Sequence, residues 1–125
     1  MNAPKDLKYT KNHEWIRIEG DSAVQGITDY AQSELSDIAF VELPDKGISV
    51  EKDNACGTIE AVKAVSEIYA AVSGEIIEVN DEIANNPEII SDDPYGEGWL
   101  FKIRMSDPSE ADKLMSADDY ISSIE

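Results

Sequence analysis

The residue with the clearest chemical potential is Lys63, the only basic residue in the segment GTIEAVKAVSEIY. It stands where two runs of β-type residues meet, so we expect it on a tight hairpin with its amine pointing away from the sheet. Its neighbours Ala61 and Ala64 leave the amine open, and Glu60 and Glu67 favour its protonated form. This setting suits presentation to another protein's active site better than nucleophilic catalysis, which needs a buried or cation-flanked lysine. By its spacing alone, however, an exposed lysine flanked by glutamates is ordinarily a solvated surface residue.

Cys56 and His13 form a second candidate pair, a thiol nucleophile with an imidazole base, as in a small thiol hydrolase. We favour a buried, unreactive cysteine, because cysteine is among the most buried residue types, and we expect His13 at the surface. Glu88, Asp92 and Asp93 could bind calcium, but their spacing lacks the ligand ladder of an EF-hand, which favours a solvated acidic loop. One cysteine and one histidine cannot supply a zinc site from those ligands.

The charge of the chain limits its partners. The 125 residues include 27 acidic and 10 basic ones, for a formal net charge of −17. This charge opposes binding to nucleic acid and to anionic membranes, and it favours partners with basic patches. The length fits one domain, assigned to residues 1–125. Without a signal peptide or an apolar run of membrane-spanning length, the cytoplasm is expected, or the mitochondrial matrix for a trimmed form.

The elements that must position Lys63 are short strands separated by turn residues. An alternating run followed by Gly20-Asp21 predicts a hairpin, and Thr28 or Asp29 is expected to cap a helix over 30–35. Many short strands with regular turns indicate a small β-sandwich or barrel with peripheral helices. Strands are predicted at 14–19, 22–27, 37–43, 48–50, 55–62, 65–69, 74–79 and 99–105.

The remainder of the chain is less regular. Residues 82–98 are predicted to be rich in loops, because Asn, Asp, Pro and Gly punctuate them. Residues 108–124 carry a helical pattern. Trp15 and Trp99 are expected in the core or at its rim. The predicted buried stripe of the C-terminal helix consists of Leu114, Met115, Tyr120, Ile121 and Ile124.

Four blocks of the chain resemble one protein family in the same order. NHEWIRIEG, GITDYAQSELSDIAFVELP, GTIEAVKAVSEIYAAVSGEIIEVN and DPYGEGWLFKI are similar to the glycine cleavage system H proteins, over residues 7 to about 120. The resemblance implies a mainly β fold, the lipoyl-type flattened β-barrel or barrel-sandwich hybrid, with short peripheral helices including one at the C-terminus. It also implies that Lys63 carries lipoate as an amide. The expected role is that of a non-catalytic carrier in glycine catabolism and one-carbon metabolism.

The resemblance implies four partners. A pyridoxal-phosphate-dependent glycine decarboxylase loads an aminomethyl group onto the arm, a tetrahydrofolate-dependent aminomethyltransferase removes it, and dihydrolipoamide dehydrogenase reoxidises the dithiol. A lipoate-attaching enzyme modifies Lys63, and Glu60 is a candidate for its recognition. We expect a monomer, since a shuttle must leave each partner.

Other functions remain open at this point. A lipoyl relay that donates lipoate to 2-oxo-acid dehydrogenases would use the same lysine. An unmodified binding module of the same fold is also possible in principle. A biotin carrier usually has Met on both sides of the lysine, where this chain has Val62 and Ala64.

Three positions match family residues that contact the loaded amine, namely Asn12, Glu14 and Glu67. A carboxylate there could pair with the ammonium group, a contact worth about 1.5–3 kcal/mol; plain solvated acids are the alternative. The family commonly has Ser and Asp in place of Asn12 and Glu67, which alters their reach. Tyr30 replaces a family His and is expected to pack on the helix surface. Ala71 replaces a family Pro and is expected to loosen a turn.

Overall fold

The computed structural model describes residues 3–124. Short strands dominate it, and helices are confined to the periphery. Within the described range no helix has the length and apolar character needed to cross a membrane. The elements are β1 (Lys8–Tyr9), β2 (Glu14–Glu19), β3 (Ser22–Ile27), α1 (Asp29–Leu35), β4 (Ile38–Glu42), β5 (Ser49–Val50), β6 (Ala55–Ala61), β7 (Val65–Tyr69), β8 (Gly74–Val79), α2 (Asp81–Asn85), α3 (Ile89–Asp92), β9 (Phe101–Met105), a 3-10 helix (Pro108–Lys113) and α4 (Ala117–Ile124).

The strands form two antiparallel sheets that share one core. The larger sheet has the order β1-β2-β3-β9-β8-β5, and the smaller has the order β4-β6-β7. Ile16 and Ile103 from the larger sheet join Ile59 and Ile68 from the smaller one in a single buried cluster. Two facing sheets with short peripheral helices confirm the predicted barrel-sandwich class, although the hydrogen-bonded ladders do not close into one continuous barrel.

The predicted hairpin at the start of the chain is confirmed. Gly20 turns with φ +65°, a conformation that glycine adopts without strain, and β2 pairs with β3 from end to end. Trp15 is fully buried, and its indole Nε1–H donates to the Pro94 carbonyl at 2.9 Å. Its cross-strand partner is Gly26, where a Cβ would lie 2.6 Å from the indole ring. Gly26 thus leaves the space that the Trp15 ring occupies. Trp99, the other tryptophan, is half-buried.

The segment predicted to be rich in loops has loop and turn residues at 86–88 and 93–98, as expected, but it also holds two short helices that this prediction missed, α2 and α3. The Asn80 side chain accepts from the Glu82 backbone N–H and begins α2. Ile83 in α2 and Ile90 in α3 are fully buried against the main core. Helices of five and four residues are too short to show a periodic pattern, so tertiary burial decides them.

The single helix predicted over 108–124 is divided into a 3-10 helix and α4. Between them Met115 exchanges two 2.9 Å backbone hydrogen bonds with Tyr9 of β1, a two-residue strand that the pattern missed. Tyr120 stacks on Tyr9 with ring centroids 4.8 Å apart. This contact closes a second, smaller core around Trp15. Of the predicted buried stripe, Tyr120 is fully buried, and Leu114, Met115, Ile121 and Ile124 are half-buried.

Candidate functional site

Lys63 lies at the tip of the predicted hairpin between β6 and β7. The two strands pair as far as Glu60 and Val65, and the Ala61 backbone N–H donates to the Ala64 carbonyl at 2.7 Å. Lys63 is exposed, and within the described part of the chain its Nζ has no ion-pair partner within 4 Å. The structure therefore presents a primary amine on a rigid two-stranded support.

The tip is held from the side by the segment before β4. The Val62 backbone N–H donates to the Asp37 carbonyl at 3.1 Å. Ser36 and Asp37 have φ values of +55° and +22°, in a region that residues other than glycine rarely adopt. The backbone thus has an uncommon conformation just before β4. In this conformation the Asp37 carbonyl accepts the hydrogen bond that holds the lysine turn.

These residues fit a covalently attached acyl arm. The amine of Lys63 is in water, the side chain of Ala64 is small, and Glu60 points outward on the neighbouring strand. An amide at Nζ would need no rearrangement of a buried group. What the site lacks, within the described residues, is the burial or neighbouring cation that would turn this lysine into a nucleophilic catalyst.

Glu14 is buried, so the alternative that it is a plain solvated acid is wrong. Only 2% of the residue is exposed; its Oε1 accepts from the Thr10 hydroxyl at 2.9 Å and its Oε2 from the Tyr69 N–H at 2.8 Å. Burial raises the pKa of Glu14 to about 7, although the hydrogen bonds from Tyr69 and Thr10 oppose this shift. Both carboxylate oxygens are engaged: Oε2 attaches the end of β7 to the start of β2, and Oε1 binds the Thr10 side chain just before β2.

The other two predicted docking residues lie around this attachment. Asn12, two residues before Glu14, is half-buried, and its N–H donates to the Thr10 hydroxyl oxygen at 3.2 Å. Glu67 is exposed and precedes Tyr69 by two residues, about 7 Å along the same face of β7. The hydrogen bond between Glu14 and Tyr69 therefore brings the start of β2 close to the end of β7.

Gln25 is a site residue that sequence reasoning missed. It is fully buried, its Nε2 donates to the Tyr69 carbonyl at 2.7 Å, and its Oε1 accepts from the Ala71 N–H at 2.9 Å. A glutamine inside the strand SAVQGI was the available signal. The expectation that Ala71 only loosens a turn needs correction, because Ala71 donates a hydrogen bond that proline cannot make.

His13 is half-buried, so the expectation of a surface residue holds only in part. Its Nδ1 lies 2.9 Å from the Tyr120 hydroxyl, and its ring lies 4.8 Å from that of Tyr30. Burial lowers the pKa of His13, and the negative charge of Glu34 partly opposes this shift. The Tyr120 hydroxyl also lies 2.7 Å from the hydroxyl oxygen of Thr28, the residue that caps α1. Tyr30 packs from the helix surface, as expected, and here it packs on His13.

The thiol and calcium alternatives gain no support. Cys56 is half-buried, and burial together with the charge of Glu14 raises its pKa to about 12, so almost no thiolate exists at neutral pH. His13 contacts tyrosines instead of this thiol. Among residues 3–124, no three His, Cys, Asp or Glu side chains are placed to hold a metal ion. Asp93 instead accepts from the Glu97 N–H at 2.9 Å, within its own loop.

Comparisons with known proteins agree over nearly the whole chain. The family model described as "Glycine cleavage H-protein" matches residues 7–125. A glycine cleavage system H protein from Halalkalibacterium halodurans is 52% identical over 119 residues, which are 95% of this chain and 93% of the relative. One from Herpetosiphon aurantiacus is 56% identical over 119 residues, covering 95% and 91% of the two chains.

A solved structure gives the same result. The crystal structure of a glycine cleavage system H protein from Mycobacterium marinum superposes with a TM-score of 0.91, at 38% identity, and covers 98% of both chains. Sequence, fold and the exposed lysine turn agree with one another. The chain belongs to the glycine cleavage H-protein family.

Proposed function

We propose that this chain is the lipoylated carrier protein of a glycine cleavage system, with lipoate joined to Lys63 Nζ as an amide. Its family membership already makes it a non-catalytic carrier component of that system. The observation that supports Lys63 as the attachment point is its exposure at a two-residue turn that backbone hydrogen bonds hold on both sides. An arm on this turn extends into solvent, where a partner enzyme can take it up.

The chemistry and the positioning are divided between the arm and the protein. Lipoate supplies a disulfide that can take up an aminomethyl group. The protein contributes the support of β6 and β7 and a surface that suits basic partners; amide formation at Lys63 takes the formal charge from −17 to −18. The proposed partners are glycine decarboxylase, the aminomethyltransferase, dihydrolipoamide dehydrogenase and the lipoate-attaching enzyme, with Glu60 contributing to recognition by the last.

For the loaded arm we propose Glu67 as the pairing carboxylate. Glu67 is exposed on the outward face of β7, whereas both oxygens of Glu14 already accept hydrogen bonds inside the protein. Glu14 then acts indirectly, because it fixes the strand that carries Glu67. Asn12 lies two residues before Glu14 and offers an amide to the same region. These assignments place the docking of the amine at the attached end of β7.

We also propose that residues 1–125 form one domain that works as a monomer. A shuttle visits partners in turn, so a stable self-association would compete with each visit. The cytoplasm is the proposed location, because the relatives named above are bacterial proteins of this family.

Intact mass and peptide mapping test the central assignment. We would incubate the protein with lipoate, ATP and a lipoate–protein ligase, with the Lys63→Arg variant as the matched control. A single lipoyl adduct on the peptide that contains Lys63, absent from the variant, supports the proposal. An unmodified wild-type protein, beside a control lipoyl domain that is fully modified, contradicts it. Lys63→Arg should also abolish glycine decarboxylation with the three partner enzymes; residual activity would refute the carrier role of Lys63.

A further inference from the structure

Exposed apolar side chains concentrate around the lysine turn. Within the described residues, five large hydrophobic side chains are exposed, and three of them are Phe40 at 50%, Val62 at 71% and Val65 at 66%. The other two, Ile18 and Ile48, are each 42% exposed and lie on the larger sheet and at its edge. We call Phe40, Val62 and Val65 the apolar strip.

Strand register brings the apolar strip together. Phe40 is the cross-strand partner of Glu60, and Glu60 is the cross-strand partner of Val65. Directly opposite residues in antiparallel strands share a face, so Phe40 and Val65 flank Glu60 on the outward side of the smaller sheet. Two strand spacings separate them by about 10 Å. Val62 lies in the turn beside Lys63 and is the most exposed of the three.

Carboxylates border the strip on the side away from the lysine. In the next outward row Glu42 pairs with Thr58, and Thr58 pairs with Glu67; both glutamates are exposed. A partner that fits must offer an apolar patch with Lys or Arg at its rim. Exposed valines and phenylalanine grouped at one point are typical of a contact surface, since single scattered ones would need no partner.

We propose that the apolar strip is the docking surface of the enzyme that attaches lipoate, an inference that rests on the proposed lipoylation of Lys63. The bare Nζ lies at most about 6 Å from the Lys63 Cα, since only five single bonds join them. An enzyme that acts on this atom must therefore touch the residues next to it. An enzyme that acts on the far end of a finished arm can stand further away.

The attachment reaction is balanced. The lipoate carboxyl carbon forms a C–N bond with Lys63 Nζ, and ATP is cleaved to AMP and pyrophosphate. The displaced carboxyl oxygen leaves in AMP, and the Lys63 ammonium group loses two of its three protons to water, the third remaining on the amide nitrogen. The apolar strip takes no part in this chemistry, so its removal should impair binding of the ligase and leave the intrinsic reactivity of the amine intact.

Lipoylation kinetics test the proposal. The double variant Phe40→Ser/Val65→Ser and the single variant Val62→Ser would be compared with the matched controls Ile18→Ser and Ile48→Ser. With lipoate, ATP and a lipoate–protein ligase, we expect kcat/KM to fall about tenfold or more in the strip variants, mainly through KM. The controls should stay within about twofold of wild type. Thermal unfolding of each variant checks that its fold is retained.

A binding measurement without chemistry provides the second readout. On a Lys63→Arg background, which cannot be modified, the strip changes should raise the Kd for the ligase about tenfold. Wild-type rates and affinities in the strip variants would overturn the docking inference while leaving lipoylation intact. Failure of the wild-type protein to be lipoylated would overturn the proposed function itself.

Two further outcomes would assign the strip to another occupant. Variants that have been fully lipoylated by long incubation can be assayed with the glycine decarboxylase. An equal tenfold loss of activity in that assay would show that the decarboxylase uses the same surface, and it would contradict the assignment to the ligase. A wild-type dimer in sedimentation that the strip changes dissociate would assign the strip to a second copy of the chain.

Discussion

The two ends of strand β7 differ in exposure and in how they are hydrogen-bonded to the rest of the protein. Its first residue, Val65, is exposed beside the lysine turn, and among the described residues the turn is tied to the segment before β4 by the hydrogen bond from Val62 to Asp37. Its last residue, Tyr69, is held on both sides: Glu14 accepts from its N–H and Gln25 donates to its carbonyl. Both of those side chains are buried and belong to the larger sheet.

The difference shows how a small domain can present a reactive residue without losing stability. At the attached end, polar side chains are buried and fully hydrogen-bonded, so each of them is costly to remove. At the presented end, exposed side chains contribute little to folding and are available to partners. Substitutions at the attached end should therefore change stability, and substitutions at the presented end should change lipoylation.

The largest loss of stability is expected from Gln25→Leu. The change keeps a similar volume but leaves the Tyr69 carbonyl and the Ala71 N–H without their partner. We expect the free energy of unfolding to fall by roughly 2–4 kcal/mol, measured by chemical denaturation. Gln32→Leu, on the half-buried face of α1, is the matched control and should change it by about 0.5 kcal/mol or less. Equal effects of the two changes would mean that Gln25 does not anchor β7.

The next effect depends on pH and concerns Glu14. The folded protein holds a proton on Glu14 up to about pH 7, and the ordinary value is 4.5. This contribution to stability is complete below pH 4.5 and is lost as pH rises through 7, by an amount on the order of 3 kcal/mol. The Gln side chain of the Glu14→Gln variant cannot ionise. The free energy of unfolding of this variant should therefore increase relative to that of the wild type as the pH rises from 5 to 8. A difference that stays constant over this range would contradict the raised pKa.

A smaller effect is expected from Tyr120→Phe. The Tyr120 hydroxyl contacts Thr28 and His13 near the start of β2, which supports the attached end. Loss of this hydroxyl should lower the free energy of unfolding by about 1–2 kcal/mol. Tyr30→Phe is the control, because the Tyr30 hydroxyl is hydrogen-bonded to Glu34 on the helix surface, and we expect a change below about 0.5 kcal/mol.

The smallest effect on stability is expected at the presented end. Lys63→Arg should change the free energy of unfolding by less than about 0.5 kcal/mol, because the side chain is exposed. The same variant should lose all lipoylation. A destabilisation comparable to that of Gln25→Leu would mean that the lysine turn is part of the folding core, and the contrast between the two ends would fail.

Local pattern was sufficient for the strands that carry the site. Runs of β-type residues bounded by strong turn signals placed β2, β3, β7 and β8 at their observed bounds, because strand preference and turn chemistry are visible over five or six residues. The patterns failed for β1, α2 and α3, which are two to five residues long. Their conformation depends on what they pack against, such as the buried Ile83 and Ile90.

The sequence by itself determined an acidic, mainly β chain with Lys63 between two strands, because charge, β-type residues and turn chemistry are local properties. The carrier role was implied by the resemblance to the H-protein family. Only the tertiary structure decided which polar residues are anchors. Glu14, Gln25 and His13 are polar in the sequence, and nothing in their neighbours shows that distant segments bury the first two and pack on the ring of the third. The physical reason is that burial and its pKa shifts arise when the two sheets and α4 come together, and contacts between residues tens of positions apart leave no local pattern.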